Sequence, residues 1–185
     1  MIILGVDPGT LITGYGIIES KNGMVKVLAC GAIKNDSRKS MPLRLKLIFE
    51  TLRDVIDAFH PDTCAIETAF YGKNAQSALK LGHARGVAML AAVSRELPTG
   101  EYSPREVKKA IVGKGTASKQ QVQYMVKSLL KLTQTPKYYD ITDALAVAIC
   151  HLHRTRHPKP AFKSWKAFVA AHPSKLSQQS KPQSR

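Results

Sequence analysis

The chain has 185 residues, 44% of them hydrophobic and 22% charged, the balance of one globular domain with room for its own core. No run is apolar enough to span a bilayer and no leader precedes the first apolar stretch, so a membrane or exported protein is not expected. A net charge of +15 points instead to a polyanionic partner, nucleic acid before a membrane surface.

Residues 1–4 (MIIL) form an apolar, largely β-branched run, the pattern of a strand buried on both faces. The run leads into Gly5-Val6-Asp7-Pro8-Gly9, where Pro8 and Gly9 end the strand in a turn. Asp7 at the end of a buried strand is costly unless paired, hydrogen-bonded or on a metal; a hairpin-capping role is the alternative. A second strand over 13–18 has glycines at 14 and 16, which mark close approach by another backbone or a ligand. Residues 24–34 give a third strand after the turn Lys21-Asn22-Gly23, and three strands on short turns make an antiparallel meander.

Ser40 is placed to cap a helix with Pro42 in its first turn, and apolar residues from Leu45 to Phe59 follow at helical spacing. The helix stops at His60-Pro61, and the short strand 63–67 ends, like the first, in a carboxylate, Glu67. A loop with Phe70 and Tyr71 leads into a long helix over 75–97. Its Gly82 and Gly86, four apart, suit close packing against either the sheet or a second subunit. A strand over 100–102 precedes a helix opening at Pro104. Gly113-Lys114-Gly115-Thr116 fails the Walker pattern, since glycine follows Lys114, and is better suited to a basic turn touching a nucleic-acid backbone. Ser118 caps the next helix, with Val122, Met125, Val126, Leu129 and Leu130 as its apolar face, and a last helix covers 140–153.

Residues 154–185 hold eight Lys or Arg and no Asp or Glu, with Ser, Gln and Pro prominent, so disorder is expected there. The expected division is therefore a folded domain over 1–153 and a basic tail over 154–185. Cys30, Cys64 and Cys150 have no metal-ligand spacing and suit reduced thiols in a cytosolic protein.

Asp140 and Asp143, three apart at a helix start, share a face; alone they suit capping and the helix dipole. Together with Asp7 and Glu67 they make four carboxylates at strand and helix ends, where ligands collect in α/β sheets. Four converging carboxylates repel one another and any phosphate, and divalent cations resolve the conflict. Oxygen ligands suit Mg²⁺, with Mn²⁺ as a substitute, and two ions would clamp the attacking and leaving oxygens of a phosphodiester.

The sequence resembles the RuvC family of Holliday-junction resolvases over nearly all of residues 1–153. The resemblance lies in DPG (7–9), TGYG (13–16), AIETAFYGKNAQSALKLGHARGVA (65–88), REVKKAIVGKGTASKQQVQ (105–123) and DITDALAVAI (140–149). It implies an α/β, ribonuclease H-like fold: a five-stranded mixed sheet flanked by helices on both faces. It implies catalytic and metal-binding roles for Asp7, Glu67, Asp140 and Asp143, and a junction-entering role for Phe70. Tyr71 and Lys73 of the same loop go with Phe70 to the DNA, and Lys108 and Lys119 go to the scissile phosphate. A homodimer through the helix after Glu67, the branch-migration partners RuvA and RuvB, and a bacterial cytoplasmic location are further implications. The tail inherits no role, and Ile141 and Thr142 replace residues that are commonly small. The weighed rivals are an actin-like ATPase or sugar kinase, for which the chain is short, and a junction-binding scaffold, for which four carboxylates would be a handicap.

Overall fold

The computed structural model describes residues 1–68 and 75–156. Strand β1 (Ile2–Asp7) pairs antiparallel with β2 (Ile12–Lys21), which pairs antiparallel with β3 (Met24–Lys34). On its other side β1 runs parallel to β4 (Thr63–Glu67), and β4 runs parallel to β5 (Thr99–Tyr102). The sheet order is β3-β2-β1-β4-β5, five strands of mixed direction.

Side chains alternate along β1, so the sheet carries two cores. Leu4 and Val6 face one layer with Cys64 and Ile66 of β4, against α1 (Met41–Phe59) and α2 (Ala75–Val93). Ile3 and Ala65 face the other layer, against α3 (Pro104–Val112), α4 (Lys119–Leu129) and α5 (Tyr139–Arg156). Full burial of an Ile or Leu such as Ile3, Leu4 or Leu145 stabilises by about 1.5–3 kcal/mol. The same alternation assigns Asp7 and Glu67, each two residues past an inward Gly5 or Ala65, to the α5 layer. The pair Val6–Ile66 sets the parallel register, so the two carboxylates leave neighbouring strands at the same level.

Local chemistry stops the helices where it should. Ser103 and Ser118 each build a reciprocal capping box, with Glu106 and with Gln121. Ser40 caps α1 by position only, without a side-chain bond. α2 ends at Val93, four residues short of the expected 97. Glu96 turns into the left-handed region at φ 55°, and Leu97 donates its N–H to the Ala92 carbonyl, closing a Schellman motif without glycine. α5 runs on to Arg156, past the expected end at 153. Leu129, expected on the apolar face of α4, is 44% exposed, while Val122 and Val126 are buried.

The glycines of β1 and β2 explain why α5 can lie so low on the sheet. A Cβ at Gly5 would overlap the Ala144 carbonyl, one at Gly14 the Asp140 carbonyl, and one at Gly16 the Leu145 side chain. The occupant of the bare surface is thus the backbone of α5. Gly82 and Gly86 are different: a Cβ at either meets nothing within 4 Å among the described residues. They do not pack on the sheet, and α2 buries Ala84, Ala88, Ala91 and Ala92 there instead.

Among the described residues no helix is long and apolar enough to cross a membrane. Cys30 is exposed, Cys64 and Cys150 are buried, and all three are free.

Candidate active site

Asp7, Glu67 and Asp143 line one cavity of about 310 Å³ with Lys108 and Lys119, and Val107 and Val122 form part of its apolar wall. Asp7 comes from the end of β1, Glu67 from the end of β4 and Asp143 from the first turns of α5. Lys108 is carried by α3 and Lys119 opens α4. Asp7 pairs in register with Gly14, and the missing side chain there lets the start of α5 approach the strand end.

Electrostatics tie the carboxylates into one group. Burial pushes the Asp7 carboxyl well above its usual range, and the charges of Glu67, Asp143 and Asp140 push it the same way. Glu67 is pushed up to about 7, first by burial and then by Asp143, although a hydrogen bond from Asp7 and the charges of Lys119 and Lys108 oppose this. Burial and mutual repulsion thus favour the protonated form of both carboxyls in the metal-free site. Asp143 is raised by burial and by Asp140, against the pull of Lys119, whose Nζ lies 3.6 Å from Asp143 Oδ2. Asp140, in the first turn of α5, does not line the cavity, but its charge acts on both Asp7 and Asp143.

Among the described residues no three His, Cys, Asp or Glu side chains are already drawn into a metal-binding cluster. The donor chemistry nevertheless fits a hard divalent cation: only carboxylate oxygens, mutually repelling and short of positive charge at the buried end. Asp7, Glu67 and Asp143, with Asp140 beside them, are the residues that would hold it.

Lys114 is exposed on the α3–α4 turn and does not line the cavity. Phe70, Tyr71 and Lys73 lie outside the described residues. Sequence reasoning missed Val107 and Val122 as cavity walls, because an apolar residue at helical spacing reads simply as core. It also missed Gly5, whose position two residues before Asp7 was a usable signal.

The family described as crossover junction endodeoxyribonuclease RuvC matches residues 3–151. The enzyme of that name from Salinibacter ruber is 45% identical over 179 residues, covering 96% of this chain and all of its own length. The Alkaliphilus oremlandii enzyme is 52% identical over 153 residues, 83% of this chain and 93% of its own. Thermus thermophilus RuvC in complex with a Holliday junction substrate superposes with a TM-score of 0.80 at 30% identity, covering 84% of this chain and 95% of that one. A yeast mitochondrial Holliday junction resolvase, 12% identical with a TM-score of 0.58, shares the fold. The matched span holds every wall of the cavity, from Asp7 of β1 to Asp143 of α5, and on that span the chain belongs to the RuvC family of crossover junction endodeoxyribonucleases.

Proposed function

We propose that the chain is a homodimeric, Mg²⁺-dependent endonuclease that resolves four-way DNA junctions by paired symmetric nicks in recombination and repair. The observation that carries this reading is the meeting of Asp7, Glu67 and Asp143 between Lys108 and Lys119 in a chain of net charge +15. The family implies a divalent-metal nuclease; all-oxygen ligands favour Mg²⁺, two ions per site, with Mn²⁺ able to substitute. Bound there, the ions supply an activated water and neutralise charge on the leaving 3′ oxygen. Asp7, Glu67, Asp140 and Asp143 hold and orient them. Lys108 and Lys119, which line the same cavity, steady the phosphate, and the walls of Val107 and Val122 keep bulk water from screening these contacts. The products carry 5′-phosphate and 3′-hydroxyl ends.

A cleavage assay on a synthetic junction with Mg²⁺ tests the reading. Paired nicks in strands of like polarity, absent with a chelator, are expected. Nicking of linear duplex at the same rate, or binding without cleavage in Mg²⁺ and in Mn²⁺, would overturn it.

Phe70, with Tyr71 and Lys73, lies on the connection between β4 and α2, directly after Glu67, and is proposed to enter the junction and disturb stacking. Aromatic stacking on a base contributes about 1–3 kcal/mol, so Phe70→Ala should slow cleavage by about 5- to 150-fold with an unchanged melting temperature. A large fall in melting temperature with normal cleavage per folded molecule would assign Phe70 to packing. Lys114 is proposed as a backbone contact on its exposed turn.

A two-fold junction is matched most simply by a two-fold protein. α2 offers the surface, because Leu79, Gly82, Gly86, Leu90 and Val93 recur at helical spacing, and the three large ones are 62%, 58% and 59% exposed. The space beyond Gly86 is open in the single chain, so Gly86→Leu should leave the stability of the fold within about 0.5 kcal/mol of wild type while shifting the dimer toward monomer in ultracentrifugation. Unchanged dimerisation would remove this face from the interface. Cooperation with RuvA and RuvB in the bacterial cytoplasm, and salt-sensitive DNA contact by a basic tail over 154–185, complete the proposal.

A further inference from the structure

From Val107 to Tyr139 the chain carries seven lysines and no Asp or Glu over 33 residues, yet only Lys108 and Lys119 line the catalytic cavity. α4 turns part of the remainder onto one face. Gln120, Gln123, Tyr124 and Lys127 recur at helical spacing on α4 and, with Lys131 just past its end and Thr135, line a shallow groove of about 530 Å³. α4 is the wall between this groove and the active site: Lys119 and Val122 line the catalytic side, while Gln120 and Gln123 line the other.

The groove is dressed for an anion with flat, stackable neighbours. Tyr124 is 72% exposed. Lys127 donates to Thr135 Oγ1 at 3.2 Å, and among the described residues no carboxylate lines the groove. On the adjoining loop the Tyr138 ring has Lys137 Nζ 5.8 Å from its centre and Lys34 Nζ, from the end of β3, 4.4 Å from it. A protein-binding surface would be depleted of lysine and built on several large apolar anchors; here Leu132 is the one aliphatic side chain in the lining, and its Gln, Lys, Ser, Thr and Tyr companions suit phosphate and sugar.

We infer that the groove is a second DNA subsite, which holds the backbone of a duplex arm beyond the scissile phosphate. The inference rests on the nuclease reading above and extends it from the cut site to the arm. The eleven residues of α4 span about 16 Å, or about five base-pair steps at ~3.4 Å each. The subsite therefore reaches DNA that a short arm does not possess.

The test compares wild type with the double variant Lys127→Gln, Lys131→Gln, and separately with Tyr124→Ser. Two junctions are used: one with long arms, one with hairpin-closed arms of about four base pairs, too short to cross α4 by the same count. On long arms the double variant should bind up to about sixtyfold more weakly at 0.1 M salt, with the slope of log K against log salt reduced by about 1.8. On short arms it should match wild type, and circular dichroism should show both variants folded. Tyr124→Ser should weaken long-arm binding without changing the salt slope. An equal loss on both junctions, or no loss on either while wild type cuts both, overturns the subsite and leaves the nuclease reading intact. Failure of wild type to cut either junction in Mg²⁺ overturns that reading, and the subsite with it. Selective loss of a protein partner in pull-downs, with DNA binding unchanged, would reassign the groove to protein and also overturn the inference.

Discussion

Asp7→Asn should abolish junction cleavage and at the same time stabilise the metal-free protein. The loss of activity should exceed about a hundredfold, since even residues that only support a metal ligand contribute about 10–100-fold. The gain in stability follows from the sign of the Asp7 shift. Its folded pKa lies above the unfolded value of about 3.9, because burial and three neighbouring carboxylates oppose its charge. Folding therefore favours the protonated form. The stabilisation is complete below the unfolded pKa and is lost as pH rises through the folded one. Glu67 behaves alike, between about 4.3 unfolded and about 7 folded. At pH 8 without metal the wild type bears this repulsion, while the amide of the variant carries no charge and can still donate to Glu67. The melting-temperature advantage of the variant should thus be larger at pH 8 than at pH 5. Mg²⁺ should raise the wild type at pH 8 by mass action and narrow the gap. Thermal scans with chelator and with Mg²⁺ at both pH values measure this; cleavage near wild type, or a variant less stable at pH 8, would refute it.

Gly14→Ala should damage the site from beneath. The added Cβ would overlap the Asp140 carbonyl, a backbone atom in the first turn of α5 that no rotamer change can move. Overpacking of this kind costs about 1–3 kcal/mol. If the turn yields, Asp140 and Asp143 shift with it, and a displacement of about 1 Å can cost about a hundredfold in rate. Gly16→Ala is the graded comparison: its Cβ would meet the Leu145 Cδ2 at 2.5 Å, the far end of a flexible side chain, so a smaller loss of both stability and rate is expected. Chemical denaturation and single-turnover cleavage of the two variants should rank them in that order. Gly14→Ala with wild-type stability and rate would mean that α5 does not bear on β2 as described.

Much of this layout was legible in advance, and for identifiable reasons. β-branched runs and turn residues located β3 and β4 to the residue, since Asn22-Gly23 and His60-Pro61 leave little choice of boundary. Gly14 and Gly16 announced a close approach, but a strand pattern carries no information about which distant segment arrives, so α5 had to be seen. α2 was drawn too long because Glu96, not a glycine, takes the left-handed turn. Gly82 and Gly86 signalled a bare stripe whose direction only the burial of Ala84 and Ala88 decides. Lys114 and Lys119 look equivalent in sequence. The capping box at Ser118 fixes where α4 begins and so points Lys119, not Lys114, at Asp143.

The order of the segments has a consequence for synthesis. Asp7 is among the first residues to leave the ribosome and Glu67 follows, but Asp143 rides on α5, the last element among the described residues. Until that helix emerges and beds onto Gly5, Gly14 and Gly16, the nascent chain has a bare strip on its sheet and two carboxylates without the two that α5 brings. If the proposed carboxylates are the catalytic ones, an endonuclease assembled in this order is harmless to DNA while it is being made.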